Sequence, residues 1–409
     1  MDIKPIMKNK LAINGGKKVI KKFFNHFNWP PQSKKKINSV VNYLRNEKLN
    51  KYGFPDIVDK FERKFKKILG VKYALTTNSG TSALHASFFA LNIKKGDEVI
   101  APSLTFHATA SPILKFSAKP IFCDCDPETG NISPEDIKKK ITNKTRAIVV
   151  THLCGHPCEM DEIIKIVKKN KLYLIEDCSH AHLSTYKKRK VGTFGDIGIF
   201  SMDKNKLLSV GEGGVLVTNS KRFFERALLI TDFGPRLENT LSLKSNKIFK
   251  ETGFGYKHRI HPIAAAIGFI ELDNLKKYIK LRHKRLNFLS KKLTNIPGIR
   301  PPITKPYVNR GAFYSYRLFY IKEELNNLSI IKFIKALESE GLNVRLAGNR
   351  PLHLLPYFKT FDKKQNLKMS EKFYNSTISL PTFTFDSFKI VKLYFEAIKK
   401  VCTYYSRKI

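Results

Sequence analysis

From Tyr73 to Thr218 the sequence alternates short apolar runs with amphipathic stretches, a rhythm that few architectures accommodate. The runs Tyr73-Ala-Leu-Thr-Thr77, Glu98-Val-Ile-Ala101, Pro120-Ile-Phe-Cys-Asp124, Ala147-Ile-Val-Val-Thr-His152 and Leu172-Tyr-Leu-Ile-Glu176 have strand length. Stretches with helical patterning separate them, over Thr81 to Leu91, near Ala108 to Lys115, from Pro134 and from Met160. Parallel strands need a crossover of this kind, and strands covered on both faces read as continuous apolar runs. The expected class is therefore α/β, a mostly parallel central sheet covered by helices. Ile197-Gly-Ile-Phe200 and Gly214-Val-Leu-Val-Thr218 predict two further strands.

The 409 residues are enough for one large and one small unit. Residues 1–30 lack periodicity and close with Trp29-Pro-Pro31, so they read as an N-terminal arm. Residues 33–69 predict two helices split by Tyr52-Gly-Phe-Pro55. Phe269 to Leu293 predicts a long helix, Pro297-Gly-Ile-Arg-Pro-Pro302 a break, and residues 310–409 a smaller α+β unit. The expected division is an arm over 1–30, a large domain over 31–270 and a small C-terminal domain over 271–409.

Composition removes several function classes. No run approaches the ~18 apolar residues of a membrane helix, and the N-terminus lacks a signal-peptide core, so a cytoplasmic protein is expected. The cysteines Cys123, Cys125, Cys154, Cys158, Cys178 and Cys402 are too sparse for a disulfide scaffold. Cys154-Gly-His-Pro-Cys158, with His152 and His156 beside it, has a metal-like look. No second cysteine pair completes a zinc set, so no metal is expected. The net charge of +41 is extreme. Its lysines are dispersed, with no basic tail or arginine-rich recognition helix, which argues for compositional bias over a nucleic-acid partner. Phosphorylated substrates would still feel the field.

Four features along the large domain carry chemistry. Asn78-Ser-Gly-Thr-Ser82 follows a strand and opens a helix, where free N–H groups and small residues make a phosphate seat. Phe106 follows the next strand and offers a ring face. Asp177 ends a buried strand, at the sheet edge where open α/β folds present ligand-binding groups. Last comes Ser201-Met-Asp-Lys-Asn-Lys206-Leu-Leu-Ser-Val-Gly-Glu-Gly-Gly214, a small-residue loop with Lys204 and Lys206. A lysine amine in such a loop suits Schiff-base chemistry with an aldehyde cofactor. Phosphate anchor, ring support, ring-nitrogen partner and lysine, in that order, are the parts of a pyridoxal phosphate site.

With these motifs the chain resembles the DegT/StrS family of sugar and cyclitol aminotransferases, pyridoxal-phosphate enzymes of the aspartate-aminotransferase fold type. The resemblance covers nearly the whole chain. It also rests on Pro102-Ser-Leu-Thr-Phe106, Ile175-Glu-Asp-Cys-Ser-His-Ala-His182, Val191-Gly-Thr-Phe-Gly-Asp196, Gly255-Tyr-Lys-His-Arg-Ile260 and Ile378-Ser-Leu-Pro381. It implies that Lys206, five positions after Ser201 and five before Gly211, is the Schiff-base lysine. It implies Asp177 at the pyridinium nitrogen, His180 near the phenolic oxygen, Phe106 stacked on the ring, and Gly80, Thr81 and Ser201 at the phosphate. A homodimer with shared active sites is implied too, with Lys257 and Arg259 reaching toward the partner's cofactor. His353, in Pro351-Leu-His-Leu-Leu-Pro356, is a candidate for the substrate pocket. Three positions depart from the family pattern: Lys257 for a common asparagine, Met202 for a phenylalanine and Leu183 for a glycine.

The implied activity is two-stage, ping-pong transfer of an amino group through an internal aldimine. The donor is glutamate or glutamine, and the acceptor a keto sugar, nucleotide-linked, or a keto cyclitol. Two rivals are a same-fold sugar dehydratase, which carries histidine in place of the lysine, and a basic nucleic-acid-binding or regulatory protein suggested by charge alone.

Overall fold

A computed structural model of the chain describes residues 10–21, 29–46, 56–359, 361 and 365–406. The seven-stranded central sheet runs in the order Tyr73–Thr77, Gly214–Thr218, Ile197–Ser201, Tyr173–Asp177, Thr145–Thr151, Glu98–Pro102, Lys119–Cys123. The last five are mutually parallel. Gly214–Thr218 runs antiparallel to both its neighbours. The α/β expectation of a mostly parallel sheet therefore holds, with one reversed strand beside the lysine loop.

Why the strands read as solid apolar runs is visible in their packing. Val99, Ala101, Ala147 and Val149 pack in one core cluster, while Ile100, Ile148 and Val150 pack in another. Alternate residues of a strand point to opposite faces, so both faces of this sheet are covered.

Two helix predictions needed correction. The stretch near Ala108 to Lys115 is a 3₁₀ turn, His107–Thr109, followed by the short helix Ser111–Leu114. Pro112 sits in the first turn of that helix, where its missing N–H is tolerated, but it cannot donate back to the Ala108 carbonyl, so the two pieces do not merge. The long helix begins earlier than Phe269 and spans Pro262–Leu293. Its first turn carries Pro262 at N1, and the Nδ1 of His261 accepts the Ile263 N–H at 3.2 Å. Ala264, Ala265 and Ala266 are all buried, so the start shows no amphipathic period. Helices Lys34–Asn46 and Ile57–Leu69 appear as read; the splitting segment Tyr52-Gly-Phe-Pro55 lies outside the described residues.

After the long helix, a four-stranded antiparallel sheet runs in the order Ile299–Arg300, Tyr316–Tyr320, Thr377–Leu380, Arg345–Leu346. Its core joins Tyr316, Leu318, Leu337 and Tyr394. Leu11 and Ile20 insert into the same cluster. The Ala12 and Val19 N–H groups donate to the Glu340 carboxylate at 2.8 and 3.1 Å, so this N-terminal stretch is tied to the smaller sheet. No described helix is long and apolar enough to cross a membrane.

All six cysteines are buried and free of disulfides. His152, Glu176 and Cys178 come close enough to suggest a ligand set, yet hydrogen bonds occupy the first two. His152 Nε2 meets Glu176 Oε2 at 3.1 Å, and Nδ1 accepts the Cys158 N–H. Glu176 also accepts the N–H groups of Gly192, Phe194 and Gly195 at 2.8, 2.6 and 2.7 Å. This fully buried carboxylate is the tie that folds the turn before Ile197–Ser201 onto the sheet. Glu176→Ala would strand those donors, at a cost of about 3–5 kcal/mol in denaturant unfolding. A loss below about 1 kcal/mol would show that the donors find water instead.

Candidate active site

The carboxyl ends of the parallel strands open into a cavity of about 570 Å³, closed on its far side by the smaller sheet. Strand ends deliver its floor: Thr151, Asp177 and Ser201 are each the last residue of a strand. This is where an open α/β sheet places ligand groups, because side chains there leave the sheet without disturbing its core.

One wall is the start of helix Gly80–Ala90. Ser79 caps it, its hydroxyl accepting the Ser82 N–H at 3.1 Å. Helix geometry leaves the first N–H groups, those of Gly80 and Thr81, without intrahelical acceptors. Gly80 is required by proximity: a Cβ there would lie 2.8 Å from the Ser201 Cβ. The helix start and the Ser201 hydroxyl thus share one corner, a donor-rich seat for an anion.

Deeper in, Asp177 is buried, and its two oxygens are held separately. Oδ2 accepts the Thr109 hydroxyl at 2.8 Å and Oδ1 the Ser179 N–H at 3.0 Å. Behind it Thr105 bonds Thr109 at 2.9 Å and Thr151 at 3.0 Å. This hydroxyl network fixes the carboxylate's direction.

Lys206 is buried, whereas Lys204 is exposed. The turn holds Lys206 by its own N–H, which donates to the Asp203 carbonyl at 2.9 Å, and by its carbonyl, which accepts the Trp29 indole N–H at 3.1 Å. Its Nζ sits 4.1 Å from the centroid of the Tyr314 ring. Burial pushes the amine's pKa down from 10.5, opposed by Asp177 and Asp203. A larger fraction is then unprotonated at a given pH, as a nucleophile or base requires.

His180 stacks on Tyr314, ring centroids 4.0 Å apart and planes at 11°. Burial, then the neighbouring Lys206 and Arg317 charges, holds its pKa well below 6.5. It is therefore a neutral imidazole, and its buried Nδ1 has no hydrogen-bond partner among the described residues. Phe106 stands at the cavity with half of its surface open.

Gly80, Thr81, Phe106, Asp177, His180, Ser201 and Lys206 thus converge on one cavity. The other three sequence candidates do not line it. Lys257 and Arg259 flank Phe233, their cationic groups 6.0 and 4.7 Å from its ring, and Arg259 pairs with Asp232 at 3.3 Å. His353 is packed between Ser103 Oγ, 2.7 Å from Nδ1, and the Glu371 carboxylate, 3.1 Å from Nε2. Both ring nitrogens are engaged, which turns His353 away from the substrate pocket expected for it.

The sequence reading missed Thr109, Tyr314, Arg317, Arg345 and Trp29. Thr109 lay in a stretch read only as helix. The two arginines come from the smaller sheet and Tyr314 from the segment leading into its strand Tyr316–Tyr320, where no local motif marks them. Trp29 closes the arm and was read only as its end.

The family model for the DegT/DnrJ/EryC1/StrS aminotransferase family matches residues 30–394. The GDP-perosamine synthase of Escherichia coli O157:H7 is 35% identical over 333 residues, covering 80% of this chain and 85% of that protein. A putative L-glutamine:3-amino-2,3-dideoxy-scyllo-inosose aminotransferase of Micromonospora echinospora is 32% identical over 351 residues, covering 85% and 82%. Among solved structures, an aminotransferase from Psychrobacter cryohalolentis superposes with a TM-score of 0.85 at 27% identity, over 93% of this chain and 99% of that one.

Proposed function

The chain belongs to the DegT/DnrJ/EryC1/StrS aminotransferase family, and on that premise we propose that it uses pyridoxal phosphate to move an amino group from glutamate or glutamine to a keto sugar or keto cyclitol. The observation that carries this reading is a buried lysine amine, with a depressed pKa, in the same cavity as a fixed carboxylate and a helix-start anion seat.

The residues present fit the cofactor. The Gly80 and Thr81 N–H groups and the Ser201 hydroxyl match a phosphate. Asp177, aimed by Thr109, is suited to accept a hydrogen bond from a protonated ring nitrogen and keep it protonated. The unpartnered Nδ1 of neutral His180 is available to a ring substituent, and the exposed Phe106 offers a face to cover the ring. When bound, pyridoxal phosphate supplies an aldehyde for the incoming amine and a conjugated ring that withdraws electrons.

The chain's own residues do the rest. Lys206 would hold the cofactor's aldehyde carbon, and its amine, when free, would carry the proton to and from the substrate carbon. Tyr314, 4.1 Å beneath that amine, keeps water from one side. A dehydratase reading is disfavoured because such relatives replace this lysine with histidine. Lys257 and Arg259, outside the chain's own cavity, are assigned to a partner's site in a homodimer.

The test is a half-reaction. Purified protein carrying pyridoxal phosphate is mixed with L-glutamate or L-glutamine, and the visible-edge absorbance is followed. One of the donors is expected to bleach that band, and a keto sugar or keto-inositol from a panel to restore it. Absence of bleaching with every amino donor would reject aminotransfer.

A further inference from the structure

The smaller sheet turns one face to its core and the other to the cavity. Leu318 and Ile378 are fully buried on the core side. On the other, Arg317 and Arg345 both pair in register with Ser379, which lies on the strand between them. Residues directly opposite in a sheet share a face, and strands lie about 4.8 Å apart, so the arginine backbones are about 10 Å apart. All three residues line the cavity.

Neither guanidinium forms a hydrogen bond or ion pair with the described residues. Arg317 Nε is buried without a partner. Its guanidinium packs over Gly348, where a Cβ would come within 2.5 Å of Nη2. The cavity's acids are elsewhere: Asp177 is bound to Thr109 and Ser179, Asp203 accepts the Asn205 N–H at 3.0 Å, and Glu212 is exposed on the lysine loop. Two cations facing one cavity without counter-charges are a binding site for an anion. Arg317 lies close enough to the Tyr314–His180 stack for its charge to act on both rings. Arg345 is exposed, and its charge also acts on the Tyr314 ring.

We propose that Arg317 and Arg345 form the carboxylate seat of the amino donor and that this donor is a dicarboxylate. Arg317 takes the α-carboxylate, beside the reacting nitrogen above Tyr314. Arg345 takes the distal carboxylate, which an amide donor lacks. The chemistry would equally suit a phosphate of the acceptor. The placement of half-buried Arg317 beside the His180–Tyr314 stack, against which the Lys206 amine lies, favours the donor, whose carboxylate is one bond from the reacting carbon. This inference rests on the aminotransferase reading.

The experiment compares wild-type holoenzyme with Arg317→Gln and Arg345→Gln. Donor half-saturation is measured for L-glutamate and L-glutamine, and calorimetry reads binding of 2-oxoglutarate and of GDP. Arg345→Gln is expected to raise half-saturation for glutamate about tenfold or more while leaving glutamine nearly unchanged. Arg317→Gln is expected to weaken both donors. Both variants should lose 2-oxoglutarate affinity and keep GDP binding. Unchanged glutamate and 2-oxoglutarate affinity in both variants, loss confined to GDP, or equal effects of Arg345→Gln on the two donors would each overturn the assignment. Matching cofactor absorbance and thermal unfolding serve as the folding control; if Arg317→Gln fails it, Arg317→Lys replaces it. Failure of wild-type enzyme to react with any donor would reject the aminotransferase reading itself, a result distinct from these.

Discussion

Lys206→Ala is expected to reduce turnover by about four orders of magnitude and to remove the visible-edge absorbance of protein carrying pyridoxal phosphate. In the proposed function this side chain supplies both the amine that binds the aldehyde and the base that moves the substrate proton, so its loss removes both. The fold should survive. The Lys206 backbone is held by Asp203 and Trp29 independently of the amine, and deleting a desolvated amine removes a burial penalty. Lys204→Ala is the paired control. That residue is exposed, and its loss should leave turnover within roughly twofold. A Lys206→Ala protein that keeps its band while Lys204→Ala loses it would reverse the assignment.

Asp177→Asn carries the second-largest expected effect, a loss of about 10²–10³-fold in kcat. Asparagine preserves the shape and the acceptor for the Ser179 N–H but removes the charge. Its amide would also face the Thr109 hydroxyl, now donor to donor unless that hydroxyl turns toward Thr105 or Thr151. A neutral partner cannot hold a ring nitrogen protonated, so the ring withdraws electrons less. The loss should therefore fall on kcat in both half-reactions, with the acceptor's KM little changed. A variant within tenfold of wild type would show that Asp177 is an anchor of the loop rather than a partner of the ring.

The central sheet was legible because its signal is local. A strand covered on both faces must be apolar throughout, so Ile197–Ser201 and Gly214–Thr218 announce themselves. The start of the long helix was not legible, since Ala264 to Ala266 are buried on every side and show no period. Pro112 divided a helix that its apolar spacing had suggested was whole. Within the site, the large-domain residues follow strand ends and helix starts, positions a sequence marks. His353 shows the opposite case: its motif fits a pocket residue and a packed loop histidine equally, and only the structure shows Ser103 and Glu371 engaging both its nitrogens.

The sequence by itself determined the α/β class and the order of anion seat, ring face, carboxylate and lysine, because apolar periodicity and turn chemistry act over a few neighbouring residues. Only the tertiary structure decided that Lys206 is buried where Lys204 is not, that Thr109 aims Asp177, and that Arg317 and Arg345 face the same cavity across Ser379. Those properties arise from burial and electrostatic fields summed over segments far apart in the chain, and such sums exist only once the two sheets have packed around the cavity.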